Sequence, residues 1–334
     1  MISEKPLLIV LCGPTASGKT AIAIEFARAL NTEIISADSR QFYEGMKIGT
    51  AAPTAEEMAG IHHHFVGHLL VTDSYNVSRF EKEALDRLEM LFNTYPVVIM
   101  TGGSGLYIHA VTHGIDVLPD PDPGLRTELK NLLAEAGIAA LQEKLLQLDP
   151  VYYETVDLNN ASRLIRALEV CMTTGLPYSS LRSQKPRQRP FRVLKIGLGL
   201  PREELNRRID ERVDRMLAAG WLDEARELYK LRDCNALNTL GYKEIFEFLQ
   251  GTMTYGECVG KIKTNTRRYA KRQMTWFRKD QDIHWFSPDD VKGMLEMVSE
   301  RIADVRCTMY DLRCTIFTIS PFRHETSSAL PSAL

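Results

Sequence analysis

Short aliphatic runs alternate with amphipathic segments along the first part of the chain. Leu7–Cys12, residues 33–37 and residues 96–101 are apolar runs of strand length, and the last two are rich in β-branched residues. Residues 21–30 and 77–92 instead repeat apolar positions at helical spacing. Strands that alternate with helices in this order predict a parallel sheet covered on both faces.

The pattern changes at residues 118–124, where three prolines interrupt any periodic element. Residues 125–181 then carry helical patterns and no convincing strand, so we expect a helical insertion there. A basic, proline-containing linker at 183–190 leads back to an apolar strand near 193–200. Helical patterns follow at about residues 202–219, 221–231, 238–249 and 255–278.

Composition places the chain among ordinary globular proteins. Of its 334 residues, 44% are hydrophobic and 25% are charged, which excludes the disordered, collagenous and coiled-coil classes. The 43 acidic residues nearly balance the 41 basic ones. The resulting net charge of −2 neither requires nor excludes a polyanionic partner, so the distribution of charge has to decide that question.

Several features favour a cytoplasmic location without a membrane partner. The six cysteines never form a C-x-x-C pair and fit neither a disulfide framework nor a zinc ribbon, which favours a reducing compartment. The run Leu7–Cys12 leads straight into a glycine loop and does not resemble a signal peptide. Residues 90–115 carry no charge, but Pro96 and several glycines interrupt them, so we predict a strand, a turn and a helix there and no membrane span.

The glycine loop after the first strand matches a phosphate-binding motif. It satisfies G-x-x-x-x-G-K-[ST], with an aliphatic strand before it and a helical pattern after it. Backbone N–H groups of such a loop converge on phosphate oxygens at a helix N-terminus. Lys19 adds a point charge, and the Thr20 hydroxyl is the candidate Mg²⁺ ligand. The candidate phosphate-binding residues of the loop are Gly13, Pro14, Thr15, Ala16, Ser17, Gly18, Lys19 and Thr20.

This loop and the alternating elements together predict an α/β fold: a P-loop NTPase-like parallel sheet flanked by helices, with an inserted all-helical domain. We expect the catalytic core in residues 1–117 and 191–306 and the insertion in residues 118–190. Residues 307–334 are mixed and polar, so we expect a poorly ordered tail there and assign it no function.

Two strand ends suggest what the loop binds. The run 96–101 continues into TGGSG without the acid that P-loop NTPases use to hold Mg²⁺, which weakens an ATPase interpretation. We interpret these glycines as a place where another molecule approaches the backbone closely. Asp38 follows the run 33–37 at the edge where open parallel sheets bind ligands, and it is our candidate general base. The alternative is that Asp38 caps the next turn or orients the Mg²⁺ shell.

Eight motifs resemble, in order, those of the tRNA dimethylallyltransferases, also called tRNA isopentenyltransferases. They are GPTASGKT, DSRQFYEGMKIGTAAP, HHH, TGGSGLY, SRLIRALEV, RRIDERVDRMLAAG, NTLGYKE and RRYAKRQMTWFRK, and the match runs from about residue 7 to 287. The resemblance implies transfer of a dimethylallyl group from dimethylallyl diphosphate to N6 of the adenosine at tRNA position 37, next to the anticodon. It further implies that the P-loop holds a diphosphate with Mg²⁺, which explains the missing NTPase carboxylate.

The resemblance also assigns roles to single positions. Asp38 matches the proposed general base, and Ser104 matches a hydroxyl, usually Thr, near the acceptor amine. Arg212 matches an arginine that contacts the diphosphate, where Lys19 also stabilises the leaving group. The residues that match tRNA-contacting segments are Asp38, Ser39, Arg40, Gln41, Ser104, Arg126, Ser162, Arg163, Leu164, Ile165, Arg166, Asn238, Thr239, Leu240, Gly241, Tyr242, Lys243, Lys271, Arg272, Gln273, Met274, Thr275, Trp276, Phe277 and Arg278.

Charge distribution agrees with an RNA partner. Residues 261–279 contain eight Lys or Arg and no acid, with Tyr269, Trp276 and Phe277 interleaved. Such a patch follows phosphates and offers stacking surfaces. A solvated amphipathic helix that buries Ile262 and part of the aromatic set is the alternative for some of these side chains. The acid-free stretch 182–195 is either a second RNA contact or a solvated linker.

Three other functions stay open: an adenylate isopentenyltransferase, a P-loop small-molecule kinase and a noncatalytic P-loop RNA-binding protein. The partners expected from the main interpretation are a tRNA anticodon stem-loop and dimethylallyl diphosphate, and a monomer is the default. The histidine run 62–64 is not expected to hold a metal, because adjacent residues of an extended stretch point to opposite faces and no acidic or cysteine pattern lies nearby.

Overall fold

A computed structural model describes residues 5–120, 122–182 and 185–303. Its strands are β1 (Leu7–Cys12), β2 (Ile34–Ser36), β3 (His63–His64), β4 (Val97–Gly102), β5 (Arg192–Leu198) and β6 (Ile283–Phe286). Its α-helices are α1 (Lys19–Leu30), α2 (Ala55–Met58), α3 (Val77–Phe92), α4 (Gly105–His113), α5 (Pro123–Leu148), α6 (Pro150–Thr155), α7 (Ala161–Thr174), α8 (Arg202–Ala218), α9 (Trp221–Leu228), α10 (Tyr242–Leu249), α11 (Tyr255–Phe277) and α12 (Val291–Ala303). Short 3₁₀ helices span Tyr178–Leu181, Tyr229–Leu231 and Asn235–Leu237. The predicted tail, 307–334, lies outside the described residues.

The six strands form one sheet in the order β3-β2-β4-β1-β5-β6, and every described strand pair is parallel. The central strand β1 pairs in register with both neighbours, so that Leu7 lies opposite Val97 and Arg192. Every residue of β1 and β4 is buried, as in sheets covered on both faces. The predicted α/β fold with a parallel sheet is confirmed.

One face of the sheet packs against α1 and α12. Ile9 and Leu11 of β1 belong to the same buried cluster as Phe26 of α1 and as Met294 and Val298 of α12. Burying such side chains contributes roughly 1.5–3 kcal/mol each, so this cluster fixes α1 against the strand that precedes it. The phosphate-binding loop between them therefore has both of its ends held in the core.

Residue contacts divide the chain into two compact units. Of the described residues, the first unit takes 5–74, 86–108 and 190–303 and contains the sheet. The second unit takes 75–85 and the described part of 109–189. The predicted insertion, 118–190, overlaps the second unit, which also includes 75–85 and 109–117. The domain boundaries stay a prediction.

The second unit has its own core between α5 and α7. Leu129, Leu141 and Leu145 of α5 pack with Leu164 and Leu168 of α7 in one buried cluster. The helical path of α5 breaks at Gly137, whose φ of 77° and ψ of −179° are non-helical, so two helical segments meet there. No helix in residues 5–120, 122–182 and 185–303 is long and apolar enough to cross a membrane.

Candidate active site

A cavity of about 520 Å³ lies at the carboxyl ends of β1, β2 and β4. Open parallel sheets bind ligands at this edge. Its wall combines the P-loop with the segments that follow β2 and β4, and on the far side it includes α8, α11 and residues 238–243. Predicted site residues on this wall are Thr15, Lys19, Thr20, Asp38, Ser39, Arg40, Gln41, Arg212, Asn238, Thr239, Leu240, Lys243, Arg272 and Gln273.

The P-loop connects β1 to the first turn of α1. Its remaining predicted residues, Gly13, Pro14, Ala16, Ser17 and Gly18, form the turn between these two elements. Ala16 has a φ of 63°, a left-handed conformation that strains a non-glycine residue and is common at functional sites. The buried hydroxyl of Ser17 finds no hydrogen-bond partner within the described part of the chain. The loop therefore contains one strained backbone position and one buried hydroxyl without a partner among the described residues.

Two cations and one carboxylate share the cavity. Lys19 Nζ donates a 2.6 Å hydrogen bond to the carbonyl oxygen of Pro14. Burial, followed by the charge of Arg212, lowers the pKa of Lys19 to about 8, and the Asp38 carboxylate opposes this shift. Burial also lowers the pKa of Arg212, again against the effect of Asp38. Because both cations are desolvated, an anion bound beside them is attracted more strongly than it would be in water.

A buried glutamine of α11 joins the P-loop to the segment after β4 through two hydrogen bonds. Gln273 Oε1 accepts the N–H of Thr15 at 2.9 Å, and Gln273 Nε2 donates to the carbonyl oxygen of Gly103 at 2.9 Å. A Cβ at Gly103 would lie 2.3 Å from that amide nitrogen, and one at Gly102 would lie 2.3 Å from the carbonyl oxygen of Ala37. Part of the close approach at these glycines therefore comes from the chain itself, and because both also line the cavity, the approach of another molecule stays a prediction.

Asp38 has two roles in the geometry. It lines the cavity, and its Oδ1 accepts the N–H of Arg40 at 3.1 Å, so it also caps the turn after β2. Ser104 Oγ accepts the N–H of Ser39 at 3.0 Å and donates to Ser39 Oγ at 3.1 Å. Ser104 itself is not part of the cavity wall, although Ser39 is. Ser104 thus acts on the cavity by holding the backbone next to Asp38.

The far wall is fixed by two residues that join distant segments. Arg40 Nη1 donates to the carbonyl oxygens of Asn235 (2.9 Å) and Ala236 (3.1 Å), which ties the loop after β2 to the segment before Asn238. The Glu224 carboxylate accepts the N–H groups of Ile48 (2.7 Å) and Gly49 (2.8 Å). It also accepts the hydroxyl of Tyr242 at 2.6 Å. Glu224 carries no local sequence signal, because its partners lie far away along the chain.

Some residues in the predicted tRNA-contacting segments are core residues. The side chains of Leu164, Ile165, Tyr242, Gln273 and Phe277 are buried, and Gly241 faces the ring of Trp221. The segments matched by resemblance therefore mix surface and core positions, as any amphipathic helix does. The exposed members are the candidates for RNA contact: Ser162, Arg163, Asn238, Lys243, Lys271, Arg272, Thr275, Trp276 and Arg278.

Two of the predicted tRNA-contacting arginines are held within the second unit. Arg126 binds the carboxylate of Glu169 through Nε (2.5 Å) and Nη2 (2.7 Å). Arg166 lies 3.5 Å from the same carboxylate and donates to the carbonyl oxygen of Pro119 at 2.7 Å. Glu169 is only 1% exposed, so the two arginines take the place of the water that would otherwise stabilise its carboxylate. Both arginines therefore have a structural function in α5 and α7.

The basic helix α11 separates into paired and unpaired cations. Three of its cations form ion pairs: Lys261 with Glu247, Lys263 with Asp214 and Arg267 with Asp210. Within the described ranges, no ion pair joins the remaining basic residues of 261–279 to an acid: Arg268, Lys271, Arg272, Arg278 and Lys279. The Arg272 guanidinium lies 5.8 Å from the centre of the Tyr269 ring. The free positive charge is therefore concentrated in the second half of the helix.

His63 brings an unused lone pair to the cavity wall. Its Nδ1 lies 3.0 Å from the carbonyl oxygen of Ile61 and so donates to it, which leaves Nε2 unprotonated. Nε2 is buried and has no hydrogen-bond partner among the residues that the structure describes. Burial lowers the pKa of His63, so the ring is neutral near pH 7. A neutral acceptor at this position is suited to a bound N–H or O–H group.

The chain is similar to known proteins over most of its length. A family model described as IPP transferase matches residues 41–280. The tRNA dimethylallyltransferase of Christiangramia forsetii is 51% identical over 296 residues, which cover 88% of this chain and 98% of that protein. The tRNA dimethylallyltransferase 2 of Parabacteroides distasonis is 46% identical over 88% of this chain and 99% of that protein.

Solved structures agree with this similarity. The full-length tRNA isopentenylpyrophosphate transferase of Bacillus halodurans superposes with a TM-score of 0.67 at 36% identity, covering 90% of this chain and 98% of that one. A eukaryotic dimethylallyltransferase acting on tRNA superposes with a TM-score of 0.75 at 24% identity, covering 91% and 81%, and at that identity shares the fold alone. Both the matched residues and the relatives' coverage place this chain in one family: it belongs to the IPP transferases.

Proposed function

We propose that this protein transfers a dimethylallyl group from dimethylallyl diphosphate to N6 of the adenosine at tRNA position 37. The products are N6-dimethylallyladenosine and diphosphate. The observation that carries the proposal is the cavity in which the P-loop and Lys19, the desolvated Arg212 and the carboxylate of Asp38 meet. Its cations suit a diphosphate, and its carboxylate suits a proton that leaves the acceptor amine.

The main chemical difficulty is charge on the leaving group. An adenine N6 amine is a poor nucleophile because its lone pair is delocalised into the ring, so the allylic C–O bond breaks early and negative charge develops on diphosphate. Lys19 and Arg212 line the cavity in a partly desolvated setting, where their charges can stabilise the leaving diphosphate. One preorganised donor of this kind typically contributes about 3–4 kcal/mol to the barrier reduction.

Asp38 accepts the proton that N6 loses as the new C–N bond forms. General-base catalysis of this type contributes roughly 100-fold to 10,000-fold. Ser104 holds the adjacent Ser39 backbone and so keeps the Asp38 turn in place. The adenosine has to leave its stack to enter the cavity, at a cost of a few kcal/mol that is lower in an unpaired loop.

The cavity fits Mg²⁺ through its donor set. This ion favours oxygen ligands and keeps several waters. The wall offers the hydroxyl of Thr20 and a carboxylate, and the proposed diphosphate supplies further oxygens. Thr20 is the residue that we expect to hold the ion, and Mg²⁺ when bound neutralises part of the diphosphate charge.

We assign tRNA contacts in the first unit to residues 271–278, at the end of α11, and, separately, contacts in the second unit to the exposed start of α7. Lys271, Arg272 and Arg278 supply cations, and Trp276, which is 44% exposed, supplies a stacking surface. Ser162 and Arg163 are exposed in the first turn of α7. The second unit thereby acts as the predicted domain that grips the anticodon stem-loop. A cytoplasmic monomer remains our expectation for the protein as a whole.

The test is transfer of radiolabelled dimethylallyl from its diphosphate to an unmodified tRNA with adenosine at position 37. A transcript with guanosine at position 37 is the control, and AMP is a second acceptor. Label on the first tRNA alone supports the proposal. Label on AMP in preference to tRNA would identify an adenylate isopentenyltransferase, and ATP turnover without label would identify a kinase or an ATPase.

A further inference from the structure

The histidine run 62–64 is divided between two faces of the sheet edge. His63 pairs with Ile34 and His64 with Ile35 in the parallel register of β3 and β2. Successive residues of a strand point to opposite faces, so His63 lines the cavity while His62 and His64 share the other side. The rings of His62 and His64 lie 4.3 Å apart between centroids.

A carboxylate from the neighbouring segment joins the two histidines. Glu33 immediately precedes β2, and its Oε2 lies 2.6 Å from His64 Nε2. One ligand atom from each of Glu33, His62 and His64 lies within 4.8 Å of the others. We propose that these three residues bind one divalent first-row metal ion, with Zn²⁺ the best match. This site is independent of the prenyl-transfer proposal.

The donor chemistry supports this assignment. Two imidazoles and one carboxylate form a known zinc ligand set that leaves a fourth position for water. Ligand atoms bound to one tetrahedral ion at about 2.0–2.1 Å lie roughly 3.3 Å apart. The His64–Glu33 pair is already closer than this, and His62, which is exposed, can rotate toward them. The ion thus replaces one hydrogen bond by several coordinate bonds.

The surroundings also suit a metal ion. Tyr95 donates a 3.2 Å hydrogen bond to Glu33 Oε1, which fixes the carboxylate as outer contacts do in metal sites. Because β3 is the edge strand of the sheet, an ion can reach the site from solvent.

The structure removes the two arguments that the sequence pattern offered against a metal site at residues 62–64. The first argument considered adjacent histidines, which do diverge, but His62 and His64 are two residues apart and share a face. The acidic partner is also present, because the pairing of β2 and β3 brings Glu33 to the run from 31 residues away. A ligand set assembled across two strands leaves no pattern in a local stretch of sequence.

The site is tested by titrating the protein, free of any affinity tag, with Co²⁺ as a spectroscopic probe. Zn²⁺ is then measured by competition with a chromophoric chelator. We expect one Co²⁺ per chain, with visible bands of a four- or five-coordinate ion. His62→Ala and Glu33→Gln should each weaken binding by at least about tenfold, the loss seen when even outer contacts of a metal site are removed.

His284→Ala makes the same change at an exposed histidine of β6 and should leave Co²⁺ binding unchanged. The stacked pair His109 and His113, with ring centroids 4.6 Å apart, is the competing site. The proposal is overturned if His62→Ala binds Co²⁺ as the unmodified protein does, if His109→Ala abolishes binding, or if no Co²⁺ binds at all. Because His62 is exposed, circular dichroism should show that its variant keeps the fold.

Discussion

Lys19 carries its positive charge in a place that disfavours it. Burial and the nearby Arg212 lower its pKa from 10.5 to about 8, so in the free protein it loses its proton near pH 8. A bound diphosphate adds negative charge and raises this pKa again. Diphosphate binding should therefore take up a proton at pH values above about 8, and the affinity should fall as the pH rises above 8.

This titration can be followed directly by NMR of protein carrying ¹³C at the lysine ε carbons, with the Lys19→Arg variant identifying the Lys19 signal. We expect a midpoint near 8 without ligand and a clear upward shift with diphosphate. A midpoint at the ordinary value of a lysine in the free protein would show that the cavity does not desolvate this side chain.

Asp38 is the residue whose removal should separate chemistry from binding. Asp38→Ala should lower the single-turnover rate by roughly 100-fold to 10,000-fold, because no other carboxylate lines the cavity among the described residues. Affinity for tRNA in a filter-binding assay should change little. Asp86→Ala removes an exposed carboxylate elsewhere and should leave both values unchanged. Loss of tRNA binding in step with the rate would show that Asp38 acts in recognition and not as a base.

At the level of elements, α11 supplies a matched pair of substitutions. Arg272 is exposed and has no ion pair within the described ranges, whereas Lys263 of the same helix binds Asp214. Arg272→Ala should weaken tRNA binding and reduce the slope of log affinity against log salt by about 1, since one phosphate contact is lost. Lys263→Ala makes the same change in charge and should alter the slope much less. Equal slopes for the two variants would exclude a specific phosphate contact at Arg272.

The sequence predicts those elements that have strong local patterns. The run Leu7–Cys12 and the helix Val77–Phe92 are found in the structure with the predicted bounds. The strand β3 has two residues, and the strand β6 has four, so neither is long enough to show a period. Helix α12 has an apolar stripe that buries Met294, Val298 and Ile302, but it follows a segment without recognisable motifs and was not predicted.

The site is predicted less completely, because its geometry depends on contacts across the chain. The P-loop, Asp38 and Arg212 are found from motifs and resemblance, and all of them meet at one cavity. The positions of Gln273 and Glu224 follow from hydrogen bonds across 258 and about 175 residues, which no local pattern encodes. Their roles become visible only when the sheet has brought the distant segments together.

At the scale of the whole molecule, we can test whether the stability of the second unit affects ligand binding in the first unit. Glu169→Gln removes a buried charge that Arg126 and Arg166 share, so the free energy of unfolding should fall by about 1–3 kcal/mol. Diphosphate binding uses residues of the first unit and should be unchanged at temperatures where the protein stays folded. Glu143→Gln, an exposed position of α5, should shift stability by less than about 0.5 kcal/mol in the same urea titration. Weaker diphosphate binding in Glu169→Gln would show that the units are coupled.

The hydrogen bond between Thr15 and Gln273 has a consequence for how the protein is made. The two residues are 258 positions apart, so at about 5–20 residues per second the ribosome reaches Gln273 roughly 10–50 s after Thr15. During that interval the phosphate-binding loop exists without the amide oxygen that accepts its Thr15 N–H, and until residues 192–198 are made β1 also lacks its neighbour β5. The growing chain therefore has an aliphatic strand with one edge unpaired until β5 is made, and such an exposed edge is the kind of surface on which nascent chains aggregate or meet chaperones.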